Sequence, residues 1–313
     1  NNCKVRYLSD SEYNRKAIKE IINEIHPDVL YLQSFFEKCV IPVTYYANKY
    51  HIKEVLAPRG EMCEGALRIK SYKKRPYLWF VRKVSFFSKV IFQSTSSDET
   101  VGINKYLNVP KSNIYELDNI PSIPEKDYIN NIKNVGQANI AYISRIAPVK
   151  NLFMALNAMR PINSDIVFDI YGPLEDKEYW SKCSEIIASL PSNVKVSYMG
   201  AVKYEKVREI LSSYDAFILP TFGENYGHAI AEALSIGCPV IISDKTPWTE
   251  VMNEKAGWVS GNNDTAGYTK AIEELAKMDN EELNLYRKNA KAFFKKKTDL
   301  EKLREDYSLV FGK

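Results

Sequence analysis

The sequence predicts an α/β protein built as two parallel-sheet domains in tandem. Short apolar segments alternate with amphipathic stretches along nearly the whole chain, the pattern of right-handed βαβ units with helices on both faces of a sheet. The segment NIPSIPEKDYINNIKNVGQ (119–137) breaks every period with Pro, Asn and Gly, and the alternation restarts after it. At 313 residues the chain is long enough for two cores. Two such domains are expected to face a cleft between the carboxyl ends of their strands, where open parallel sheets bind ligands.

KVRYL (4–8) reads as a strand, and residues 10–26 as a helix whose apolar positions recur every three and four, with Asp10 or Ser11 as its cap. PDVLYLQS (27–34) follows as a buried strand, 36–50 as a helix and KEVLAP (53–58) as a short strand. A basic helical region leads to the strand KVIFQS (89–94), the capped helix SSDETVGINKYL (96–107) and the strand SNIYELDN (112–119). After the break come strands NIAYIS (139–144), DIVFDIYG (165–172), VKVSYMG (194–200), AFILP (216–220) and PVIIS (239–243). Helices near 150–160, 175–189, 203–213 and 227–236 lie between them. The tail, rich in Lys, Glu and Tyr, reads as long surface helices. The resulting division is 1–133, 134–290 and a terminal helical segment, 291–313.

Composition excludes several classes. Hydrophobic residues make up 45% and charged residues 26%, ordinary for a globular protein, and no run approaches the ~18 apolar residues of a membrane-spanning helix. Cys3, Cys39, Cys63, Cys183 and Cys238 are scattered without CxxC or Cys/His spacing. That argues against a disulfide framework or a zinc site and fits a reducing cytoplasm. The net charge of +4 does not imply nucleic acid, but it is unevenly spread. From Gly65 to Ser97 there is no acidic residue, while Arg68, Lys70, Lys73, Lys74, Arg75, Arg82, Lys83 and Lys89 interleave with Tyr72, Tyr77, Trp79, Phe80, Phe86 and Phe87. Either these are helices that pack aromatics inward and show cations to water, or 65–97 contacts an anionic membrane surface or an anionic acceptor. No binding module accompanies the run, so nucleic acid is not expected as a partner.

The chemistry concentrates in PTFGENYGHAIAEALSIGCPVI (220–241). Among 25 glutamates, the pairs Glu12/Glu20, Glu224/Glu232, Glu273/Glu281 and Glu274/Glu282 all lie eight apart, so spacing alone selects nothing. Context does: only Glu224 and Glu232 follow an apolar strand and a glycine-bearing turn and then enter a helix. Glu224 is expected at the carboxyl edge of the sheet and Glu232 nearly two turns into the helix. The amides of Gly227, His228 and Ala229 at the helix start make a seat for a phosphate, and Gly227 admits a close approach. Carboxylates flanking a phosphate seat suit a nucleotide-sugar, with hydroxyls on both sides of a diphosphate; a capped buried helix with Glu224 facing water is the other reading. In YISRIAPVKN (142–151), Arg145 and Lys150 lie just past a strand end. An Arg fork and a Lys point charge suit a diphosphate, although the same two charges fit an ordinary surface loop.

SRIAPVKN, DIYGPLED, VSYMGAV, AFILPTFGENYGHAIAEALSIGCPVIIS and AGWV, in this order and spacing within residues 138–260, resemble the donor half of the retaining GT-B glycosyltransferases of family 4. PDVLYLQS, VLAPRGEM and LDNIP resemble that family's first half more loosely. The resemblance implies a GT-B fold of two Rossmann-like domains, with 1–133 on the acceptor side, 134–290 holding the donor and 291–313 packing back on the first domain. It implies the donor diphosphate on Arg145 and Lys150, the transferred sugar's hydroxyls on Glu224 and the ribose on Glu232. Sugar and phosphate would meet Asn225, Tyr226, Gly227, His228 and Ala229, and the base Met199 and Gly200. On the acceptor side, Arg59 and Glu61 in PRGE either face the cleft or hold a turn, and Gln33 stands where many relatives carry His. The family's opening strand and glycine-rich loop have no counterpart before Cys3, so an opening βαβ unit is expected to be absent from this chain, by truncation or disorder.

The implied reaction moves a sugar from a nucleotide-diphosphate donor to an acceptor hydroxyl with retention, by same-face attack. Arg145, Lys150 and the helix start would stabilise charge on the leaving diphosphate. With no Asp-x-Asp motif and no His cluster, neither a metal nor a cofactor is expected. The expected acceptor is a saccharide or lipid-linked saccharide of bacterial surface polysaccharide or glycolipid synthesis, met in the cytoplasm or at the inner face of the membrane. The competing class is a nucleotide-sugar binding protein without transfer, which ligand would stabilise without any release of nucleotide.

Overall fold

A computed structural model describes residues 3–68, 70–126, 128 and 131–312. The chain forms two compact units, one from the residues up to Asn119 together with those from Leu300 onward, the other Ile120–Asp299. Within the interrupting segment, 127, 129 and 130 lie outside the described residues.

In the first unit the order is α1 (Arg15–Ile25), β1 (Val29–Gln33), α2 (Val40–Tyr50), β2 (Lys53–Ala57), α3 (Glu64–Arg68), α4 (Ser71–Lys83), β3 (Ile91–Ser94), α5 (Ser97–Tyr106) and β4 (Ile114–Glu116). The four strands pair in parallel in chain order, β1-β2-β3-β4. Leu56 and Phe92 from the sheet pack with Leu78, Val81, Phe87 and Ile103 as one core, and Ile18 and Ile22 of α1 meet Val43 and Tyr46 of α2.

Three local expectations change here. Residues 4–8 form no strand; they run irregular and largely exposed, because apolar alternation makes a strand only where a partner ladder exists. The cap of α1 is Asn14 rather than Asp10 or Ser11: its Oδ1 accepts the amides of Lys16 and Ala17, while Ser9–Tyr13 fold as a turn of their own. β1 is an edge strand with mixed exposure rather than a buried one. The basic region is also divided. Tyr77, Phe86 and Phe87 turn to the core, but Tyr72, Trp79 and Phe80 point to solvent.

The second unit runs β5 (Gln137–Ile143), α6 (Leu152–Met159), β6 (Asp165–Tyr171), α7 (Lys177–Ala188), β7 (Val194–Gly200), α8 (Val207–Leu211), β8 (Ala216–Leu219), α9 (His228–Ser235), β9 (Val240–Ser243), β10 (Gly257–Ser260), α10 (Thr265–Lys277) and α11 (Asn280–Lys297). Its six parallel strands lie in the order β10-β9-β8-β5-β6-β7. Every residue of β8 and β9 is buried, as expected of central strands covered on both faces. The stretch expected as a helix over 203–213 divides into a 3-10 turn, Tyr204–Lys206, and α8. α11 is more than a surface helix: Leu283, Ala290, Phe293 and Phe294 enter the core. Its buried Arg287 pairs with Asp215 at 3.5 Å and donates to the Asn131 carbonyl at 2.9 Å and to Asn131 Oδ1 at 2.7 Å.

The last helix, α12 (Leu300–Phe311), belongs to the first unit. There Val310 packs with Val55 and Leu117, and Tyr307 accepts from Gln93 and donates to the Asp118 carbonyl.

Candidate functional site

In the second unit the chain builds outward from β5 through β6 to β7, then returns to the other side of β5 and continues through β8 to β10. β5 and β8 are therefore neighbours whose connections leave in opposite directions, and such a reversal opens a crevice at the strands' carboxyl ends. Arg145 and Lys150 follow β5, and Glu224 follows β8.

The loop after β5 turns through a short 3-10 helix, Pro148–Lys150, and reaches α6 through Asn151, whose φ is 55°. The buried Asn151 amide donates to the carbonyls of Pro220 (3.0 Å) and Asn262 (3.1 Å), which fixes this loop to the end of β8. The Thr221 hydroxyl and the Phe222 amide both donate to the Val149 carbonyl, and the Glu224 amide donates to the Lys245 carbonyl at 3.0 Å. The turn that carries Glu224 is thus held from both sides. The result is direct: Lys150 Nζ lies 2.5 Å from Glu224 Oε1, with side chains only 16% and 11% exposed. Their charges meet in a largely dehydrated position, where a charge-assisted bond is strong.

Arg145 does not join this pair. An isolated bridge between Ile146 and Leu174 zips the loops after β5 and β6 together, and Arg145 Nη1 pairs with Glu175 at 2.7 and 2.9 Å in an exposed position. Glu175 does not stand out in the sequence; its one signal is the acidic pair in GPLED beyond a strand end. Asn151, Thr221 and Lys245, which set the Lys150–Glu224 geometry, carry no local sequence signal, because their role lies in contacts to the backbone between loops distant in sequence.

α9 is capped at its start by Gly227, whose φ of 79° suits glycine and whose carbonyl takes the amides of Ile230 and Ala231. A Cβ there would sit 3.0 Å from Ile230 Cδ1 and 3.5 Å from Glu224 Cγ. Tyr226 is fixed through its carbonyl by Trp248 Nε1 at 2.5 Å, and its ring packs against those of His228 and Trp248. Asn225 and Ala229 are half-buried on either side, and His228 is exposed. Glu232 sits just over one turn into α9, not nearly two, because the helix begins at His228. It is buried, and burial pushes its carboxyl above the usual range against the opposing effects of Tyr204 and Arg208. Met199 stands out from the sheet where the β6–β7 register shifts, and Gly200 follows with φ 80°. Gly172, at the end of β6, has φ 139°, and a Cβ on it would meet the Ser144 carbonyl oxygen at 1.8 Å.

In the first unit, Glu61 accepts the Ser34 hydroxyl at 2.7 Å and the amides of Phe35 and Phe36, and Arg59 donates to the Tyr31 hydroxyl and to Asn119. Glu61 therefore holds the turn after β1, Arg59 is tied to Tyr31 and Asn119, and Gln33 is exposed at the end of β1. Among the described residues no group of three or more His, Cys, Asp or Glu side chains is arranged to hold a metal ion.

The Lys150–Glu224 pair, the exposed Arg145–Glu175 pair and the start of α9 thus follow strands at or beside a strand-order reversal, the place where open parallel sheets bind ligands. The model of the family "Glycosyl transferases group 1" matches residues 125–293, more than half of the chain, and the chain belongs to that family. A curated relative, the O-antigen chain mannosyltransferase B of Escherichia coli, is 26% identical over 124 residues, which are 38% of this chain and 32% of the relative. Among solved structures, a mutant of S. aureus TarM in complex with Fondaparinux, alpha-GlcNAc-glycerol and UDP aligns over 96% of this chain and 59% of its own, with TM-score 0.70 and 16% identity. Anabaena HepE in complex with UDP and glucose aligns over 94% of this chain and 80% of its own, with TM-score 0.71 and 12% identity. The chain thus spans about a third of the curated relative and under two thirds of TarM. These structures share its GT-B architecture of two parallel-sheet domains.

Proposed function

We propose that the protein transfers a glycosyl group from a nucleotide-diphosphate-sugar to an acceptor hydroxyl with retention of configuration, as a family 4 enzyme. The observation that carries this reading is the Lys150–Glu224 pair at the β5/β8 reversal, which sets a cation and a sugar-reading carboxylate side by side. Lys150 and Arg145 take the diphosphate as charge grows on it, helped by the start of α9, and this electrostatic term is the largest in such chemistry. Glu224 holds the transferred sugar's hydroxyls, Glu232 the ribose, Met199 and Gly200 the base, and the 225–229 backbone the phosphate and sugar. Attack comes from the same face as departure. No metal takes part, so transfer continues in a chelator.

The acceptor is a saccharide or lipid-linked saccharide, with Gln33 the acceptor-side residue left open to solvent. The O-antigen mannosyltransferase of Escherichia coli supports bacterial surface polysaccharide synthesis, and the ligands of HepE support a uridine nucleotide. The five free thiols fit work in the cytoplasm. A thermal-shift screen over nucleotides and nucleotide-sugars, followed by a nucleotide-release assay with saccharide acceptors, tests this. Stabilisation without release under any acceptor would make the protein a nucleotide-sugar binder instead.

A further inference from the structure

We propose that α4 is a docking surface for an anionic lipid bilayer. With about 3.6 residues per turn, Tyr72, Trp79 and Lys83 fall on one line of this helix with Phe80 beside it. Arg75 and Arg82 form one shoulder of that line and Lys73 the other. The opposite side is committed to the fold: Leu78 and Val81 are buried, and Lys74 turns inward to donate to the Ala66 carbonyl. Tyr72, Trp79 and Phe80 are 72%, 64% and 57% exposed, although aromatic side chains of this size normally bury most of their surface.

The cations belong to the same face. Lys83 lies over the Trp79 ring at 5.1 Å and Lys73 over the Tyr72 ring at 5.7 Å. No carboxylate answers them within the helix or anywhere from Gly65 to Ser97, and the bordering Glu64 is taken by Lys105 at 3.2 Å and Tyr106 at 3.0 Å. A strip with rings at its centre and positive charge on both shoulders matches the boundary between acyl chains and anionic headgroups. Among the described residues no helix is long and apolar enough to cross a membrane, so the contact is one of lying on the surface. This surface is independent of the proposed reaction.

The test is co-sedimentation with vesicles of equal parts phosphatidylglycerol and phosphatidylcholine, against vesicles of phosphatidylcholine alone. The protein partitions onto the first and not the second, and its tryptophan emission shifts to the blue, because Trp79 is exposed while Trp248 and Trp258 are buried and Trp180 half-buried. Each Lys or Arg neutralised on the face weakens partition about fivefold, so Lys73→Gln, Arg75→Gln and Lys83→Gln together weaken it about 100-fold. Trp79→Phe keeps partition and loses the spectral shift. All these positions are exposed, and an unchanged melting curve confirms that the variants fold. Equal partition onto both vesicle types, or full partition by the triple variant, overturns the proposal. So does retention on heparin without any vesicle partition, which would give the face to a soluble polyanion.

Discussion

Lys150 pairs with Glu224 in the free protein and with the diphosphate in the proposed donor complex. Substitutions on the two sides of this contact should therefore move nucleotide affinity in opposite directions. In Lys150→Met the diphosphate loses a charge-assisted bond of about 1.5–3 kcal/mol, and nucleoside diphosphate binds about 10- to 100-fold more weakly. In Glu224→Gln the same cation is released. The pair is mostly but not fully buried, so separating it costs between the values for exposed and buried pairs, about 1–3 kcal/mol. Without that cost, nucleoside diphosphate binds at least about fivefold more tightly, while sugar transfer falls because the hydroxyl contacts are lost. Isothermal titration with the nucleoside diphosphate that best stabilises the native protein measures both affinities, and melting in its absence shows that each variant is folded. If Glu224→Gln weakens the bare nucleotide as much as Lys150→Met does, Glu224 is not the competitor for Lys150 and the assignment of sugar to Glu224 fails.

Glu175→Gln frees Arg145 in the same way, but at an exposed pair worth about 0.2–1 kcal/mol, so titration should show at most about a fivefold gain. Gly172→Ala forces a Cβ into the Ser144 carbonyl at a φ of 139°, and calorimetry should find the second unit destabilised by about 3 kcal/mol or more. The buried Glu54, which accepts from Thr44, has its carboxyl pushed by burial from 4.5 up to about 7. The folded chain therefore keeps a proton that the unfolded chain releases. Its contribution, about 3 kcal/mol, is complete below pH ~4.5 and is lost as pH rises through ~7. Urea melts between pH 5 and 8 should show this decline in the wild type and a flatter profile in Glu54→Gln.

The alternation of short apolar runs with amphipathic stretches is a direct imprint of a parallel sheet, and β8 and β9, buried at every residue, were the easiest strands to read. Gly227 was legible for a similar reason, since a glycine between a strand and a helix marks a backbone need. Position along a helix was less legible. Asn14 competes for the cap with four other polar residues just before it, and only the turn at Ser9–Tyr13 decides between them. The contact between Lys150 and Glu224 was beyond reach as a distance, because it depends on β5 and β8 being neighbours, and strand order is a property of the sheet rather than of any local run. The outward turn of Trp79 and Phe80 was equally hidden. Composition names the residues of a helix, while the core it packs on chooses which of them face water.

Lys150 with Glu224, Arg145 with Glu175 and Lys245 with Asp244 leave those six side chains formally neutral. A site of this kind would offer little to inorganic phosphate or to other small anions that abound in a cell, since one such ion can replace only one carboxylate. A ligand that carries two linked phosphates and a ring of hydroxyls can satisfy two cations and at the same time occupy the carboxylate it displaces. Discrimination would then lie in the exchange of partners rather than in raw positive charge.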